Sequence, residues 1–98
     1  MTKKIYISGK VTGLHPNAAF ITFVNKERQL QGKGEIFNPV KFCAHLPKNS
    51  SWVEYMRKCI KVLSDCDEIH MLPNWEDSKG AIVEHDLAKA LGIKIIYP

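Results

Sequence analysis

Ninety-eight residues, 45% of them apolar and 24% charged, make one ordinary globular domain over positions 1–98 with a modest core, which excludes a disordered chain. The net charge of +4 arises from lysines and arginines spread along the chain. No basic run marks a module for binding a nucleic-acid polymer. Three cysteines (Cys43, Cys59, Cys66) and four scattered histidines show no metal-ligand spacing, so neither a metal nor another cofactor is expected. The odd cysteine count fits a reducing cytoplasm, and the apolar run after Lys3 and Lys4 is too short for a signal peptide or membrane span.

The elements alternate. "KIYIS" (Lys4–Ser8) is β-branched and aromatic and reads as a strand ending at Gly9. A helix follows, with Pro16 in its first turn, a face of Phe20, Phe23, Val24 and Leu30, and Gly32 or Gly34 as its stop. "EIFNP" (Glu35–Pro39) is a short strand, and Val40 to Ser50 reads as a loop. Ser51 with Glu54 forms a capping-box signature, opening a helix whose buried side is Val53, Met56, Ile60 and Leu63. "DEIHMLP" (Asp67–Pro73) is a third strand, "NWEDSKG" a loop, Gly80–Leu91 a third helix and "IKIIYP" a last strand. Repeated strand–helix–strand units predict an α/β fold: a flavodoxin-like or Rossmann-like three-layer sandwich on a mainly parallel sheet of four to five strands.

Open parallel sheets bind ligands beyond the carboxyl ends of their strands, where strand order reverses. "SGKVTG" after the first strand offers glycines, hydroxyls and a lysine, but it is neither a P-loop nor GxGxxG. In the last helix the predicted buried stripe is Gly80, Val83, Glu84, Leu87, Ala88 and Leu91. Glu84 alone in that stripe is neither small nor apolar. It is either a carboxylate favoured by the helix N-terminus or an ionised group held at the ligand edge, able to attack an electrophilic carbon such as an anomeric centre. Trp75, in the loop before Ser78, is the aromatic best placed to stack on a base.

With "IYISGKVTG" at its start, "W–YMR" midway and "CDEIHMLPNWEDSKGAIVEHDLAKALGI" at its end, the chain resembles the nucleoside 2-deoxyribosyltransferase superfamily from Lys4 to Tyr97. It is most similar to a small, uncharacterised branch. The resemblance implies cleavage of the N-glycosidic bond of a deoxynucleoside or deoxynucleotide. The deoxyribosyl group then passes to a base or to water through an ester on a glutamate. It implies Glu84 as that glutamate, Ser78 near the sugar and phosphate, and Ser8, Gly9 and Lys10 in the loop lining the sugar or its 5′ substituent, with Gly80 a further substrate-binding candidate. One departure stands out: Cys59 occupies a position that is usually acidic and serves the nucleobase.

Two alternatives accompany the enzyme reading. A non-catalytic nucleotide binder on the same scaffold would keep the glycine loop and Trp75, and Cys59 speaks for it. An assembly partner would use Trp52, Tyr55 and Met56 at an interface. Lys10 and Arg57 would favour a 5′-phosphate, and so small a chain is expected to form a homo-oligomer.

Overall fold

The computed structural model describes residues 2–98. Strands β1 (Lys4–Ser8), β2 (Glu35–Phe37), β3 (Glu68–Met71) and β4 (Lys94–Ile96) form one sheet in the order β2-β1-β3-β4. Every pairing is parallel, with Tyr6 opposite Phe37 on one side and Ile69 on the other. The helices are α1 (Pro16–Gln29), α2 (Pro39–Phe42), α3 (Trp52–Ser64) and α4 (Lys79–Leu91). The predicted α/β class holds, with four strands. The order reverses between β1 and β3, and the carboxyl ends of those two strands frame the candidate site.

Side-chain alternation along β1 divides the core. Ile5 and Ile7 pack with Phe23, Leu30 and Leu72 on the α1 face. Tyr6 points the other way, into a cluster with Leu63, Ile69, Met71, Ala81 and Ala88 under α3 and α4. Ser8 shares Tyr6's side of the strand, which aims both hydroxyls at α4. A one-residue slip would turn both away.

Local sequence explains the helix limits. Pro16 occupies the first turn of α1, where its missing N–H costs nothing, and Lys26 and Arg28 complement the dipole at the other end. The α3 capping box forms: the Glu54 N–H donates to Ser51 Oγ at 3.1 Å, and Glu54 Oε1 accepts from the Ser51 N–H at 3.3 Å. Ser78 caps α4 by accepting from the Ala81 N–H at 3.1 Å. Gly92 ends it at φ 73°, a left-handed conformation suited to glycine.

Three expectations change. The segment after β2 is not all loop: Asn38 caps the Pro39–Phe42 turn by accepting from the Val40 N–H at 3.0 Å, and Pro39, without an N–H, leaves the ladder. "NWEDSKG" contains a 3₁₀ turn at Trp75–Asp77. The helix stripes are also displaced. Phe20, Val53, Val83 and Leu91 are exposed, while Ala19, Cys59 and Ala81 are buried. Helices lying close on a sheet place small residues at nearest approach and leave larger apolar ones at the rim, so size misleads a hydrophobic-stripe reading.

Gly9 is required by close approach. A Cβ there would lie 2.5 Å from Leu72 Cδ1 and 2.8 Å from its Cβ, so the turn after β1 seats directly on the end of β3. Gly9→Ala should destabilise the fold by about 1–3 kcal/mol, the usual cost of overpacking, in a urea unfolding series.

Candidate active site

A cleft of about 440 Å³ opens at the carboxyl edge of the sheet. The β1 loop supplies Gly9, Val11 and Thr12, and α3 supplies Trp52, Tyr55 and Met56. The start of α4 closes the third side with Asp77, Ser78, Lys79 and Gly80, and Glu84 also lines the cleft. The first turns of α3 and α4 meet because crossover helices return antiparallel to the strands, bringing their N-termini to the strand carboxyl ends. Gly80 permits that meeting, since a Cβ there would come within 3.1 Å of Met56 Sδ. At the mouth, Lys79 Nζ sits 4.3 Å from the centroid of the Trp52 ring, a cation–π contact.

Glu84 is 5% exposed. The Tyr6 hydroxyl donates to its Oε2, and the Ser8 hydroxyl donates to its Oε1 at 2.7 Å. Burial dominates its ionisation and raises its pKa to about 7, although both hydrogen bonds pull downward by favouring the carboxylate. Glu84 lies in the second turn of α4, where the dipole has already faded. Packing and two hydroxyl donors, rather than the helix end, therefore fix this carboxylate. Burial and the adjacent Glu84 push the Tyr6 phenol well above its ordinary range, so Tyr6 stays protonated as a donor. The Tyr55 phenol is also pushed up by burial and remains neutral.

These positions divide the sequence-derived candidates. Glu84, Gly9, Ser78 and Gly80 meet at one cleft. Ser8 is fully buried behind Glu84 and holds the carboxylate instead of facing a ligand, because the strand's pleat turns it under α4. The Lys10 N–H donates to Asn74 Oδ1 at 3.1 Å, tying the β1 loop to the β3 loop, and Lys10 is not among the lining residues. Trp75 does not line the cleft either. Its ring stacks on His85 at 4.5 Å between centroids, and His85 Nε2 is hydrogen-bonded with the Tyr97 hydroxyl at 2.7 Å. The 3₁₀ turn carries Trp75 to this side of α4. Trp52 and Tyr55 supply the cleft aromatics in its place. The capping box announced where α3 begins, and a crossover helix begins at the ligand edge, so Trp52 had a signal in the sequence.

Cys59 is 1% exposed and absent from the cleft lining. It lies beneath, beside the Tyr6 hydroxyl, with its Sγ 3.8 Å from Cys43 Sγ. Burial drives its thiol far above the ordinary range, so it stays protonated. Among the described residues, no group of three His, Cys, Asp or Glu side chains is arranged to hold a metal, and no helix is long and apolar enough to cross a membrane.

The four-stranded, all-parallel α/β sheet is similar to the 2-deoxyribosyltransferase fold. The chain belongs to DUF4406, described as a domain of unknown function, whose model matches residues 3–97. A solved 2-desoxiribosyltransferase from Leishmania mexicana is 25% identical with a TM-score of 0.71, the match covering 97% of this chain and 63% of that one. A conserved protein from Enterococcus faecalis V583, 19% identical with a TM-score of 0.74, shares the fold over 99% of this chain and 63% of its own. The chain thus spans less than two thirds of either solved structure. No functionally curated protein matches the sequence.

Proposed function

We propose that the protein cleaves the N-glycosidic bond of a nucleoside or nucleotide, with Glu84 as the nucleophile. It transfers the deoxyribosyl group to a base or, as a hydrolase, to water. One observation carries this: a buried carboxylate at the cleft, held by two hydroxyl donors and free of any cationic partner. Such a group is oriented but not neutralised, as attack on an anomeric carbon requires. The relation to the Leishmania mexicana enzyme supports the substrate class. A glycosyl–Glu84 ester forms as the base leaves, and the acceptor then releases the sugar.

In this reading Gly9, Ser78 and Gly80 border the sugar, and Trp52 offers a face to the base. Lys79, which lines the cleft, offers positive charge to a 5′-phosphate, whereas Lys10 and Arg57 are not among the lining residues. The protein works in the cytoplasm as a homo-oligomer; Phe20, Ile21 and Val53 leave apolar surface for self-association. Sedimentation velocity should give a species larger than one chain, and a monomer at all concentrations would contradict that part.

Release of free base from a panel of 2′-deoxynucleosides and their 5′-monophosphates, followed by chromatography, tests the activity. Because Glu84 attacks only when ionised, the rate should climb with pH through a midpoint of about 7 and then level off. A rate that falls across that interval would contradict an ionised nucleophile.

The binder reading has one observation in its favour. Cys59 lies under the cleft, so no carboxyl stands at the position where the resemblance implies an acidic residue near the base. If the protein only binds, no base is released, and Glu84→Gln keeps its ligand-induced thermal shift.

A further inference from the structure

Cys43 and Cys59 are the only two cysteines whose sulfurs meet among the described residues. Their Sγ atoms are 3.8 Å apart, and both residues belong to the buried cluster that contains Tyr6. Cys43 is the C-cap of the four-residue helix α2, followed by irregular chain up to α3, whereas Cys59 is fixed within α3. A disulfide has its sulfurs at ~2.05 Å, so bonding would bring these two together by a little under about 2 Å. The irregular chain beside Cys43 can absorb such a movement. Cys66 Sγ contacts neither of these sulfurs and donates to the Val62 carbonyl at 3.3 Å.

We propose that Cys43 and Cys59 are an oxidative modification site: a hydroperoxide converts them to a disulfide that cross-links α2 to α3 and disturbs the Tyr6–Glu84 contact above it. The functional consequence rests on Glu84 being the nucleophile; the cross-link itself does not.

Cys43 reacts first. It is 8% exposed, against 1% for Cys59, and nearby Lys58 favours its thiolate, although burial raises its pKa overall. The Cys43 thiolate attacks one peroxide oxygen and the O–O bond breaks. Cys43 becomes a sulfenic acid, and the departing alkoxide or hydroxide takes up a proton. The Cys59 sulfur then attacks the sulfenic sulfur, the S–O bond breaks, and the oxygen leaves as water with the thiol proton. The two cysteines together lose two electrons and two protons, and the hydroperoxide is reduced to an alcohol, or to water, plus a second water. Burial keeps both thiols largely protonated, so the reaction is slow and accelerates as the solution is made mildly alkaline.

The link to the site is short. The Cys59 thiol lies beside the Tyr6 hydroxyl, and that hydroxyl donates to Glu84. Bonding to Cys43 turns the Cys59 thiol into a disulfide sulfur without an S–H, which changes Tyr6's neighbour on that side and with it the hydroxyl's hold on the carboxylate. The oxidised protein should be slower at base release, with the effect greatest near neutral pH, where Glu84 depends most on its donors.

The test uses wild-type protein treated with hydrogen peroxide, quenched, unfolded and alkylated with iodoacetamide, then weighed intact and mapped by peptide. The expected product has lost two hydrogen masses, carries one alkyl group on Cys66, and yields a linked Cys43–Cys59 peptide that thioredoxin separates. In Cys59→Ser, where the disulfide cannot form, dimedone should trap the sulfenic acid on Cys43. Three alkylated cysteines after prolonged treatment of the wild type, or a cross-link through Cys66, would overturn the proposal. The coupling is read separately, by carbon NMR titration of the Glu84 carboxyl in reduced and oxidised protein. Identical curves would overturn it. Absence of base release from reduced protein bears instead on the proposed function and leaves the cross-link result intact.

Discussion

Glu84→Gln abolishes base release and makes the protein more resistant to unfolding at alkaline pH than at acid pH, relative to wild type. The loss of rate should be roughly 10⁴-fold or more, the scale on which removing a covalent nucleophile acts. The stability change has a definite sign. Burial raises the folded-state pKa of Glu84 to about 7 from its ordinary value of 4.5. The native state therefore holds a proton that the unfolded chain has already lost in the interval between those values. Wild-type stability falls across that interval as pH rises, because the native state binds more protons than the unfolded one. Glutamine does not titrate, and it keeps the geometry: its carbonyl oxygen can accept from Tyr6, and its amide can donate to the Ser8 oxygen. The stability difference between mutant and wild type should thus grow by on the order of 3 kcal/mol between pH 4 and pH 8. Urea unfolding at the two pH values measures it. A difference that stays flat would mean that Glu84 does not titrate as a buried carboxylate.

Tyr6→Phe moves the pH at which activity appears. Its hydroxyl is one of two donors to a carboxylate that packing keeps from water. Phenylalanine preserves the ring in the core and leaves Oε2 without that donor. A hydrogen bond to a charged group contributes ~1.5–3 kcal/mol, so losing it should raise the Glu84 pKa by about 1–2 further units. The rising limb of the pH–rate profile, centred at about 7 in the wild type, should shift upward by that amount. At neutral pH the rate then falls about 5- to 50-fold, and alkaline buffer restores much of it. A defect of equal size at every pH would instead assign Tyr6 a role in packing. Ser8→Ala should act in the same direction through the other oxygen.

The sequence carried the architecture well because its punctuation was local. Pro16 and the Ser51–Glu54 capping box mark helix starts through effects confined to a few residues, and both are realised. The same locality made Glu84 conspicuous, as a charged member of an apolar stripe. What escaped depended on contacts between distant elements. Ser8 and Tyr6 read as strand residues, and nothing near them in the chain announces that both donate to a side chain more than seventy residues away. Trp75 seemed poised for stacking because it precedes Ser78, but a single 3₁₀ turn rotates it onto His85. Trp52 reached the cleft through a helix–helix approach that Gly80 permits. Cys59 was measured against an acidic residue at its position, whereas its surroundings are Tyr6, Cys43 and the apolar core.

Trapping the covalent intermediate tests the central claim most directly. Wild-type protein and Glu84→Ala are incubated side by side with each 2′-deoxynucleoside and 5′-monophosphate, quenched in acid and weighed intact. A deoxyribosyl or phosphodeoxyribosyl adduct is expected on the wild type, mapped to the peptide containing Glu84, and none on the variant. Base release without an adduct at Glu84, or an adduct that survives in Glu84→Ala, would contradict that claim.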